Sequence, residues 1–139
     1  MKKKPRVVVD TSVLISALVF GGKPRLVIDL LSEDAIDAVV SVEILTELKR
    51  KVLSKFPAFA KELKQLEKLL ERDARTVKLG SIQVTICRDP DDNKFLETAV
   101  LGHCQYIVSG DKDLLTLETY EGVKILKPAE FLELISKQP

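Results

Sequence analysis

The sequence predicts an α/β domain in which helices cover both faces of a central parallel sheet. Three observations predict it. Short apolar runs at Arg6 to Val9, Ile36 to Val40, Tyr106 to Val108 and Val123 to Leu126 have strand length and are rich in Val and Ile. Segments with apolar residues at helical spacing separate most of them, the alternation that yields parallel strands joined by helical crossovers. The 139 residues allow one domain of ordinary size, with 45% hydrophobic residues for a core and 31% charged residues for a solvated surface. With no repeat, low-complexity tract or Gly/Ser linker, we expect a single domain over residues 1–139.

Each element has its own signal. The first strand ends at Asp10, and Thr11-Ser12 introduce an apolar helical segment through Val13, Leu14 and Ile15. Gly21-Gly22-Lys23-Pro24 interrupts it; the tract lacks the upstream Gly and following Ser or Thr of a phosphate-binding loop, so it reads as a connection. Pro24 suits the start of a second helix, on which Leu26, Val27, Leu30 and Leu31 recur. After the strand Ile36 to Val40, Ser41 caps a helix with Val42, Leu45, Leu48 and Val52 on one face. Pro57 separates this from an amphipathic surface helix over Ala58 to Ala74, carrying Leu63, Leu66, Leu69 and Leu70. Val77, Leu79, Ile82, Val84 and Ile86 alternate with polar residues around Gly80, the pattern of a strand or an irregular extended segment. Asp89-Pro90-Asp91-Asp92 precedes a helix with Phe95, Leu96, Ala99 and Val100. The strand Tyr106 to Val108 ends in Ser109-Gly110-Asp111, and Pro128 opens a closing helix through Phe131, Leu132 and Ile135.

Composition narrows the partners. The 22 Lys and Arg nearly cancel the 21 Asp and Glu, so the net charge of +1 draws the chain neither to nucleic acid nor to anionic lipid in bulk. The most apolar stretch, Val13 to Phe20, falls far short of the roughly 20 residues of a membrane helix. The basic start leads into Asp10 without a small-residue cleavage site, so we expect no export, no membrane partner and a cytoplasmic location. Cys87 and Cys104 lack C-x-x-C spacing and read as reduced, buried thiols. The single His103 has no orienting partner and is given no catalytic role.

In a parallel sheet, ligands bind beyond the carboxyl ends of the strands. Asp10 ends the first strand, Asp111 follows the strand at Tyr106, and Asp92 opens a helix at a strand-to-helix connection. Glu47 lies one turn into the helix that begins after Ser41. Four converging carboxylates repel at low dielectric, so either some take up protons or a divalent cation neutralises them, and the cation is the simpler solution. Oxygen ligands with no His or Cys cluster suit Mg²⁺ or Mn²⁺, ions that promote displacement at phosphorus. Taken singly, Asp10 and Asp92 also suit helix caps, Glu47 suits an ion pair with Lys51, and Asp111 and Asp113 suit a turn beside Gly110.

At these positions the chain resembles the PIN-domain ribonucleases, and among them the VapC-like toxin components of toxin–antitoxin pairs. The resemblance is carried by Val7-Val8-Val9-Asp10-Thr11-Ser12-Val13-Leu14, Ile44-Leu45-Thr46-Glu47-Leu48, Asp89-Pro90-Asp91-Asp92-Asn93-Lys94-Phe95-Leu96-Glu97 and Tyr106-Ile107-Val108-Ser109-Gly110-Asp111-Lys112-Asp113-Leu114-Leu115. It implies a PIN-like three-layer α/β/α domain and a Mg²⁺- or Mn²⁺-dependent endoribonuclease that leaves 5′-phosphate ends. It also implies that Asp10, Glu47, Asp92 and Asp111 are the catalytic and metal-binding set, with Thr11 and Ser109 as supporting hydroxyls and Asp113 as an outer ligand. Asp89 and Asp91 are close enough to substitute for Asp92, and Glu43 rivals Glu47 one turn earlier. Lys94 and Lys112 flank the acidic residues and are the basic groups best placed for RNA phosphates. Lys49, Arg50, Lys51, Arg72, Arg75 and Arg88 read mainly as solvated charges. An antitoxin partner and a homodimer follow from the resemblance. A processing nuclease outside any toxin system and a non-catalytic binding module on the same fold are the competing readings.

Overall fold

A computed structural model describes residues 4–137. Six strands, β1 (Arg6–Val9), β2 (Asp37–Ser41), β3 (Arg75–Val77), β4 (Tyr106–Val108), β5 (Thr119–Tyr120) and β6 (Val123–Leu126), make one sheet in the order β3-β2-β1-β4-β6-β5. All neighbours are parallel except β5, which runs antiparallel to β6 at the edge. The helices are α1 (Thr11–Val19), α2 (Gly22–Ser32), α3 (Val42–Lys55), α4 (Ala60–Asp73), α5 (Asn93–Leu101), the single turn α6 (Lys112–Leu115) and α7 (Pro128–Ser136).

The central strands are apolar throughout because they are covered on both faces: Val7, Val8, Ile107 and Val108 are fully buried. By the right-handed crossover rule, this strand order puts α1 and α2 on one face and α5, which returns the chain from β3 to β4, on the other. α2 packs against α1, α4 and α7, while α5 lies on β1, β2 and β4. At Gly102, just after α5, a Cβ would stand 2.6 Å from Val39 Cγ1, so this close approach of helix end to sheet requires glycine. Phe131 of α7 is fully buried and meets the Tyr106 ring edge-on at 5.7 Å.

The expected elements are present, with three local differences. The alternating segment from Val77 contributes only its first residue to β3; from Lys78 to Arg88 it has no regular structure. β3 instead begins at Arg75, where parallel pairing with β2 overrides a polar, exposed sequence. The edge strand β5 and the short α6 have no periodic signal, being two and four residues long. The apolar helix after Asp10 and the capping role of Ser41 agree with the sequence: Ser41 Oγ accepts from the Ile44 N–H at 3.4 Å. Both cysteines are buried and free.

From β1 the chain moves outward through β2 and β3 and then crosses back to β4 on the other side of β1. The strand order therefore reverses between β1 and β4, which opens a crevice beyond their carboxyl ends. Asp10 and Ser109 stand at that point.

Candidate active site

Backbone pairing sets the two sides of the crevice. The register Val9↔Val108 continues into an Asp10 N–H bond to the Val108 carbonyl at 3.0 Å, and the Ser109 N–H reaches the Leu126 carbonyl at 2.9 Å. The first residue after each strand is thereby fixed, and their side chains meet: Ser109 Oγ donates to one oxygen of Asp10. The other oxygen caps α1, accepting from the Val13 N–H at 2.9 Å and from Ser12 Oγ at 2.7 Å. Asp10 is 2% exposed, and burial pushes its carboxyl pKa up against the three donors that favour its charge.

Asp92 differs from an ordinary capping residue. The preceding 3-10 turn, Pro90–Asp92, is capped by Asp89, whose side chain accepts from the Asp91 N–H at 3.0 Å. Asp92 makes no side-chain cap to α5; it is 8% exposed, and its Oδ2 is buried with no hydrogen-bond partner. Asp89 and Asp91 are exposed, so Asp92 is the member of this acidic run that turns inward. Asp111 accepts from the Asp113 N–H at 2.9 Å as the cap of α6, and Ser109 Oγ receives the Asp111 N–H at 2.9 Å. Carboxylate oxygens of Asp92, Asp111 and Asp113 all lie within 4.8 Å of one another. Burial, with the charge of Asp111 close by, pushes the Asp92 carboxyl up to about 7.

Glu47 faces the same cleft from α3. Asp10, Thr11, Ser12, Glu47, Lys51, Asp92, Phe95, Gly110 and Asp111 line a cavity of ≈ 270 Å³. The Thr11 hydroxyl is buried there without a hydrogen-bond partner. Glu43, one turn earlier on the same stripe of α3, is exposed and lines no part of this cavity. Burial pushes the Glu47 carboxyl up, but the Lys94 ammonium bonded to Glu47 Oε2, then the nearby Thr11 hydroxyl and the charge of Lys51, carry it below the usual range. Lys94 thus stands on Glu47 and on the Asp91 carbonyl, at 2.9 Å, while Lys112 is exposed and makes no ion pair among the described residues. Sequence spacing gave no sign of the Lys94–Glu47 pair, because the two residues are 47 positions apart and belong to different helices.

The donor set fits a hard divalent cation. All groups are oxygen, and the unpartnered buried Asp92 Oδ2 requires a positive or hydrogen-bonding neighbour. Residues 6–113 match the profile of the PIN domain family. The chain belongs to that family. As a PIN domain it is 34% identical over 157 aligned positions to the uncharacterized protein MJ1680 of Methanocaldococcus jannaschii, an alignment covering 98% of this chain and 95% of that protein. Its fold is shared with a solved structure of VapBC2 from Rickettsia felis bound to a DNA fragment from their promoter, at a TM-score of 0.54 and 11% identity, over 86% of this PIN domain and 96% of the matched chain. No helix among the described residues is long and apolar enough to cross a membrane.

Proposed function

We propose that this PIN domain is a Mg²⁺- or Mn²⁺-dependent endoribonuclease, the toxin of a toxin–antitoxin pair. Asp10, Glu47, Asp92 and Asp111 form its acidic reaction centre, with Thr11, Ser109 and Asp113 in support. One observation carries the reading: Asp92 buries an unpartnered carboxylate oxygen beside Asp111 and Asp113, at the topological switch point of a parallel sheet. Such mutual repulsion is relieved either by a proton taken up on Asp92 or by a bound cation, and the cation leaves the carboxylates charged for chemistry.

A divalent ion bound there supplies an activated water and neutralises charge on a phosphodiester. The chain's own groups do the rest. Ser12, Ser109 and the Val13 N–H hold Asp10 in one orientation, so no rotamer search precedes binding. Lys112, on the exposed first turn of α6 beside Asp111, contacts an RNA phosphate. Two Tyr, five Phe and no Trp supply no platform for stacked bases, so selection acts through RNA shape or through the partner surface. The antitoxin, the homodimer and the cytoplasmic location rest on the resemblance and the sequence pattern described above.

The test is cleavage of RNA with Mg²⁺, with Mn²⁺ and with EDTA, comparing wild type with Asp10→Asn. Wild type cleaves with either ion, and both EDTA and the substitution abolish cleavage. Equal cleavage by the two proteins, or indifference to EDTA, removes the nuclease assignment. Co-purification with the product of an adjacent short reading frame tests the toxin role, since a processing nuclease has no such dedicated inhibitor.

A further inference from the structure

The five carboxylates of the cleft are not equally short of positive charge. Both oxygens of Glu47 face ammonium groups: Oε2 bonds Lys94, and Oε1 lies 3.5 Å from Lys51. Lys94 is built into this position. Its Nζ also donates to the Asp91 carbonyl at 2.9 Å, it lies 5.1 Å from the centroid of the Phe95 ring, and its side chain is 15% exposed. Its own carbonyl accepts from Thr98 Oγ1 at 2.7 Å, which ties this turn of α5 together. Across the cleft, Asp92, Asp111 and Asp113 have, among the described residues, only Arg88 as an ion-pair partner, 4.0 Å from Asp113 and almost wholly exposed. The charge deficit is therefore concentrated on one side.

We propose that Lys94 is a built-in counter-ion that withholds Glu47 from metal coordination, so that the cleft takes one divalent ion, on the Asp92–Asp111 side, rather than two. The inference rests on the metal-dependent reading above and narrows it. Two-ion sites hold their metals about 3.5–4 Å apart, and each ion needs carboxylate oxygens free to coordinate it. Here the second position would draw on Glu47, and an ion arriving there must displace an ammonium that is part-buried and held by two oxygens and a ring. Lys51 is a lesser obstacle, being more exposed and at a longer distance. Glu47 and Lys94 then act together as a fixed neutral pair on one wall, orienting α3 against α5, and Lys94 is a positioning residue rather than an RNA contact.

The experiment is a Mn²⁺ titration of metal-free protein by calorimetry, read as stoichiometry, with circular dichroism to confirm the fold. Wild type binds one Mn²⁺ per chain. Lys94→Met frees Glu47 and binds two, and Lys94→Met with Glu47→Gln returns to one. Glu47→Gln alone keeps one, and it stands as the independent check should Lys94→Met fail to fold. Two ions in the wild type, one in Lys94→Met, or none in Glu47→Gln overturns the counter-ion. No binding by wild type removes the metal-dependent reading itself, a result distinct from the wrong count.

Discussion

Asp92 and Asp10 are both buried carboxylates, yet they carry opposite histories of satisfaction. Asp10 has three donors, whereas one oxygen of Asp92 has none. Burial and Asp111 raise the Asp92 pKa from an ordinary 3.8 to about 7, so in the metal-free protein its neutral form is the favoured one below about pH 7. A carboxyl raised on folding contributes stability that is present below its unfolded pKa and lost as pH climbs to its folded pKa. We therefore expect urea titrations of metal-free protein to show Asp92→Asn gaining on wild type between about pH 4 and pH 7; a difference that stays constant with pH would refute the assignment. Because the ligand is the charged form, Mn²⁺ affinity of wild type should rise through the same interval, as calorimetry at several pH values would report. The sequence marked Asp10, Glu47, Asp92 and Asp111 by their positions after strands or at helix starts. It left Asp89, Asp91 and Glu43 as rivals, because residues one to four places apart can be separated only by which of them turns inward.

Among the elements, α3 and α5 bear most directly on the cleft. Ser41 ends β2, caps α3 and also donates its hydroxyl proton to Thr98 Oγ1 of α5 at 3.1 Å, so one hydroxyl joins three elements. Ser41→Ala should cost about 1 kcal/mol for the lost cap, visible as a lowered urea midpoint with unchanged slope. Gly102→Ala should cost about 1–3 kcal/mol, since the new methyl overlaps Val39 in a sheet that cannot retreat; a neutral result would mean that α5 sits further from β2 than described. Periodicity sufficed for the longer helices and the buried strands. It failed for β3, β5 and α6, which have two to four residues each and form because a neighbouring edge or loop supplies their partners.

For the molecule as a whole, the consequence of a cation-relieved cleft is linkage between folding and metal. Saturating Mg²⁺ or Mn²⁺ should raise the thermal midpoint of wild type, since an ion bound only to the folded state stabilises by mass action. Asp111→Asn should lose most of that rise, and an equal rise in both proteins would mean binding elsewhere. The sequence by itself determined the class of the fold and narrowed the acidic residues that are candidates for chemistry. Both are local matters: β-branched runs become buried strands, and acids that end strands or open helices interrupt otherwise apolar patterns. Only the tertiary structure decided which of those acids meet. Strand order brought Asp10 against Ser109 across 99 residues of chain, and the packing of α5 beside α3 delivered Lys94 to Glu47. The physical reason is that electrostatic satisfaction depends on distances through space, which no spacing along the chain encodes.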